Sequence, residues 1–94
     1  MLLSSCDIHI ETAGTINDRS TGSPIDGVQV CWGDCDNRWT FSGEDGFFYL
    51  SFIVGATFSP PTELPLVFLK EGYAPDTLWL PVRDTTAVQL QALP

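Results

Sequence analysis

Few residues in this chain have the type and spacing to do chemistry, and each group of them has a competing structural use. His9 is the single histidine. It lies on the polar side of an alternating apolar stretch, so it reads as a solvated strand residue. Without further ligands it builds no zinc site. Three cysteines, Cys6, Cys31 and Cys35, stand far apart from one another or in a short loop. The Cys31-Trp-Gly-Asp-Cys35 spacing is C-x-x-x-C, not the C-x-x-C of a thioredoxin-type redox pair, and no βαβ pattern surrounds it. Asp34, Asp36 and Asn37 offer oxygen atoms of the kind calcium takes, yet the distal Glu of an EF-hand loop is missing. A structural disulfide joining Cys31 and Cys35 is the best of these three readings, because a short loop can bring two Cα atoms to the ~5.5–6 Å that the bond needs. Two free thiols remain the alternative. Glu44 and Asp45, adjacent in a turn, project differently and do not form an acid–base pair.

The elements that hold these residues are strands. Ile8, Ile10 and Thr12 alternate with His9 and Glu11, which predicts strand A over 7–16 with one buried face. The polar cluster Asn17, Asp18, Ser20, Thr21 and Gly22 reads as a tight turn, followed by Pro24 and a hairpin-like re-entry at Gly27. Val28, Val30 and Trp32 alternate with Gln29 and Cys31 in strand B (27–32). Strand C is predicted over 38–42 and strand D over Phe47–Val54, the strongest β run in the chain. Strands E (64–69), F (77–82) and G (87–93) follow, separated by Pro60-Pro61, Lys70-Glu-Gly-Tyr73 and Arg83-Asp-Thr85. No segment sustains the i, i+3, i+4, i+7 spacing of a helix. The expectation is an all-β, seven-stranded, antiparallel or mixed two-sheet sandwich.

With 94 residues, 44% of them hydrophobic, the chain can bury one modest core. Four basic residues against twelve acidic ones give a net charge of −8. A surface of that sign is a poor match for nucleic acid, and no Lys/Arg cluster grips phosphate. No cofactor is expected.

Gly14-x-Ile-x-Asp18-x-x-Thr21-Gly22-x-Pro24-Ile25-x-Gly27-Val28-x-Val30, Ser42-x-x-Asp45-Gly46-x-Phe48-x-Leu50 and Lys70-Glu71-Gly72-Tyr73 together resemble the carboxypeptidase regulatory-domain-like family. The resemblance spans residues 8–93 and implies a transthyretin-like (prealbumin-type) sandwich. Departures are Ser42-Gly43, where the family often has Thr-Asp, and the cysteine-bearing B–C loop. Such domains are usually non-catalytic and attached to peptidases, outer-membrane receptors or surface lipoproteins. The related hydroxyisourate hydrolases use several His and Arg and a Tyr-Arg-Gly-Ser-like tail, which this chain does not match, so no enzyme is expected.

Residues 1–6 are set apart from the domain at 7–94. Leu3-Ser4-Ser5-Cys6 resembles a bacterial lipobox, whose Cys is lipidated after signal cleavage; either a leader once preceded it or the match is accidental. The resemblance implies a lipid-anchored protein of the bacterial cell envelope, touching the membrane only through a lipid on Cys6. Strand D then places Phe47 and Tyr49 outward with Ser51 and Ile53, and strand F does the same with Trp79. These residues are read as one exposed contact patch. Its expected partner is a protein or a second copy, with a glycan as the sharper alternative and a covering loop as a third.

Overall fold

The computed structural model describes residues 8–33, 35–36, 38–54 and 61–94. Within them the chain forms seven strands: β1 (Ile8–Asp18), β2 (Gln29–Trp32), β3 (Trp39–Phe41), β4 (Phe47–Val54), β5 (Glu63–Leu69), β6 (Asp76–Pro81) and β7 (Thr85–Leu90). They make a two-sheet sandwich, a three-stranded sheet β4-β1-β7 facing a four-stranded sheet β3-β2-β5-β6. β1 pairs antiparallel with β4 and parallel with β7, while the second sheet is antiparallel throughout.

Period-two alternation decides which side chains meet between the sheets. Ile10, Thr12 and Ile16 of β1, with Phe48, Leu50 and Val88, face Val30, Leu64, Leu66, Phe68 and Leu80. Phe48 and Phe68 cross edge-to-face, ring centroids 5.7 Å apart, and join the two layers. Gly14 makes room for this: a Cβ there would stand 2.7 Å from the Phe48 ring and also strike the Thr86 carbonyl. Thr12, buried among these apolar groups, donates its hydroxyl to the Pro81 carbonyl at 2.9 Å.

Two sequence expectations change. Asn17 and Asp18 are not turn residues but the end of β1, because β7 extends the pairing to Asn17↔Gln89 and Asp18↔Leu90. The connection from β1 to β2 is also no hairpin. The two strands belong to different sheets, and the Pro24 segment crosses between layers through a single bridge, Asn17↔Pro24. Pro24 and Gly27 redirect the chain, but neither records which sheet it is entering.

Val30 is an interior residue of an interior strand and has no exposed surface. Val30→Asp should therefore cost at least about 4 kcal/mol, most of what a domain this size has to lose. Urea unfolding of the variant would measure it, and a midpoint near that of the parent would refute the assignment of this face.

Candidate contact surface

The three motif blocks meet at one end of the sandwich. Asp18, at the end of β1, accepts hydrogen bonds on Oδ1 from the Ser20 and Thr21 amides at 2.7 and 3.1 Å. Its Oδ2 accepts from the Tyr73 hydroxyl at 2.8 Å. The Tyr73 bond, then the two amides, hold the Asp18 carboxyl below its ordinary value of 3.8. The same bond, with burial, pushes the Tyr73 hydroxyl above its ordinary 10.0. Ser42 Oγ accepts from the Val28 amide at 2.9 Å and donates to the Ile25 carbonyl at 2.7 Å, wholly inside the fold. Gly46, at φ 78°, carries its carbonyl to the Ile16 amide at 2.8 Å; a Cβ there would collide with the Ile16 carbonyl. Asp45 Oδ1 accepts from the Phe47 amide at 3.0 Å, so this carboxylate serves the turn. Each of these motif residues is engaged in holding backbone, and none is aimed at a ligand.

The β2–β3 hairpin is closed by covalent chemistry. Cys31 and Cys35 are bonded, with Cα atoms 5.1 Å apart, and Cys31 is completely buried although it points to the outer side of its sheet. Asp34 and Asn37 lie outside the described residues, as does Cys6. Trp32, on the inner side, stacks on Phe52 at 4.3 Å, and the Arg38 guanidinium caps the Trp32 ring at 4.5 Å. His9 is exposed, 3.5 Å from Glu11. Glu11 Oε2 also accepts from the Tyr49 hydroxyl at 3.3 Å, at the rim of a shallow hollow that includes Arg83 and Asp84.

Phe47, Tyr49 and Trp79 are all exposed, Trp79 most of all at 63%. Contrary to the sequence expectation, they do not form one patch. Phe47 and Tyr49 lie with Ile53 on the outer face of β4-β1-β7, whereas Trp79 belongs to β6 of the other sheet and faces the opposite way. Trp79 shares its face with Trp39 and Phe41 of β3, which are exposed and packed edge-to-face at 5.3 Å. Between them run the outward side chains of β2, Gln29 and Cys31, and of β5: Pro65, opposite Trp79, then Val67 and Leu69. Sequence reading passed over Trp39 and Phe41 because β3 is only three residues long, too short for alternation to stand out. The spacing Trp-Thr-Phe itself was the available signal.

No protein-family model and no curated protein matches the chain. Among solved structures it is similar to the crystal structure of 3-chlorocatechol 1,2-dioxygenase from Rhodococcus opacus 1CP, with a TM-score of 0.60 and 15% sequence identity. The match covers 90% of this chain and 60% of that one, and the likeness is one of fold alone.

The Asp18–Tyr73 bond gives a pH signature. A lowered carboxyl adds stability above the ordinary aspartate value and loses it as pH falls through the lowered one. A raised phenol adds stability below its ordinary value and loses it as pH rises through the raised one. Asp18→Asn should therefore be less stable than the parent at neutral pH, the gap closing in acid below about 3.8. Tyr73→Phe should show its gap closing in alkali above 10.0. Melts across pH 2–12 test both, and a gap that ignores pH would contradict the assignment. Cys31→Ala/Cys35→Ala should cost about 2 kcal/mol, the low end for a disulfide because its loop is so short; denaturant unfolding without reductant measures that difference.

Proposed function

We propose that this chain is a non-catalytic interaction domain of a bacterial cell-surface lipoprotein, of the carboxypeptidase regulatory-like, transthyretin-like type. It is held by a lipid on Cys6 and meets its partner through outward aromatics. The observation that carries this reading is the division of labour among residues. The motif positions are taken up by turns and sheet-to-sheet hydrogen bonds, while the large side chains that folding does not require stand on the outer faces.

The tether follows from simple lengths. Cys6 is two residues before the start of β1, so an acylated Cys6 keeps that end of the sandwich within about 7 Å of the lipid surface. A net charge of −8 opposes attraction to anionic lipid, which leaves the acyl chains to do the anchoring, and more than one is needed. Expression of the complete reading frame in a bacterial host should yield a membrane-bound product with acylated Cys6 by mass spectrometry, and Cys6→Ser should release it. Finding Cys6 unmodified would end the lipoprotein reading.

A carbohydrate- or peptide-binding role is the second reading, and the Trp39–Phe41 pair with Trp79 on one face favours it: flat rings on a rigid sheet suit stacking against a sugar. Because the aromatics occupy two opposite faces, two variants separate them: Phe47→Ser/Tyr49→Ser on one and Trp39→Ser/Trp79→Ser on the other. Glycan-array binding lost only in the second pair would establish this role. Binding to no glycan by the parent would exclude it.

A further inference from the structure

The three-stranded sheet ends on β4, eight residues long. The hydrogen bonds at its start reveal which way its backbone points. Gly46 turns its carbonyl to Ile16 of β1, whereas Phe47 gives its N–H to Asp45 Oδ1 and its carbonyl to the Gly43 amide. Direction alternates along an antiparallel pair. Residues 48, 50, 52 and 54 therefore bond to β1, and the N–H and C=O groups of Tyr49, Ser51 and Ile53 point away from the sheet. Among the described residues no strand lies along that side. The side chains of the same three residues are exposed.

Long edges of this kind are normally blunted by a charge, a proline or a bulge. β4 has none of these. Its register with β1 runs unbroken from Thr15↔Phe47 to Ile8↔Val54, and no charged residue occurs between Asp45 and Glu63. In a chain of net charge −8, contact through the acidic turns would set carboxylate against carboxylate. The β4 edge itself carries no charge, so two copies meeting there avoid setting the acidic turns against each other. Glu11, the cross-strand partner of Ser51 on β1, accepts from the Tyr49 hydroxyl and lies one strand in from the edge.

We propose that the chain forms a two-fold dimer in which β4 pairs antiparallel with β4 of a second copy, centred on Ser51. This rests on the reading of the chain as an interaction domain and names one partner, the chain itself. The register is self-complementary: Ser51 faces Ser51 of the second copy at the axis, and Tyr49 faces Ile53 on either side. Every outward N–H and C=O of these three residues then finds a partner, and the two three-stranded sheets become one. Serine at the axis is small enough for close approach, and each flanking pair sets an aromatic ring against a β-branched chain, a favourable cross-strand combination.

Sedimentation equilibrium of the full chain should show an average mass rising with concentration from 10.3 kDa towards twice that value. Ser51→Lys and Ser51→Glu each place like charges across the axis without touching the core. Each should weaken dimerisation at least about fivefold while far-UV circular dichroism stays unchanged. An equal mixture of the two should regain association, as a Lys–Glu heterodimer. A parent mass fixed at 10.3 kDa at all concentrations would overturn the proposal and leave the edge to a strand of another protein. So would a Ser51→Lys variant that dimerises like the parent. These variants keep Phe47, Tyr49 and Trp79, so partner or glycan binding tested on them reports on the interaction-domain reading separately.

Discussion

The carboxylate of Asp18 ties the two sheets together at one end of the sandwich. It ends β1, the central strand of one sheet, and its partner Tyr73 follows β5 of the other. A sandwich core is a slab sealed by its sheets but open at its ends, where chain connections carry polar backbone into semi-buried positions. Here a single side chain accepts from two turn amides and from a phenol across the gap, so two connections, β1–β2 and β5–β6, are fixed by one charge. Ser42 and Gly46 finish the same end by fastening the β3–β4 turn to Ile25, Val28 and Ile16. Among the described residues, no buried side-chain nitrogen or oxygen is left without a partner.

This explains which parts of the molecule were legible in its sequence. Strand positions were, because Val28/Val30, Phe48/Leu50 and Leu64/Leu66/Phe68 alternate with outward residues at period two. The layer that each strand joins was not. Asn17, Asp18 and Pro24 look like hairpin residues whether the chain turns back within a sheet or crosses to the other one; the difference is made by β7, some seventy residues away, pairing beyond Ile16. The same ignorance joined Phe47, Tyr49 and Trp79 into one patch. Period two says that a side chain points out, but only sheet membership says out of which side. The Cys31–Cys35 spacing was readable because loop length alone limits where two Cα atoms can lie, whereas the burial of Cys31 required its neighbours Trp39 and Val67 on adjacent strands.

Charge and apolar surface are also partitioned. Asp26, Glu44, Asp45, Glu71, Asp76 and Asp84 sit at or beside turns, while the segment from Gly46 to Thr62 has no charge at all. Turn carboxylates are useful locally: Asp18, Asp45, Asp76 and Asp84 each accept a nearby backbone amide. Their repulsion at long range opposes close approach of one acidic turn to another.

The residues of the three motif blocks are thus those consumed by the architecture, and they bear on fold and are silent about partner. A different kind of residue bears on function, one whose identity the fold does not demand. Threonine or serine at 41, 47, 49, 53 and 79 would satisfy the same backbone and leave the core untouched, at a gain in surface hydration. Large apolar groups at those positions, 42–63% exposed, reduce solubility without adding to the core. Folding supplies no reason for them. On the function proposed above, contact does, and the two faces on which they lie are separated by the full thickness of the sandwich, so one partner engaging one face would leave the other available.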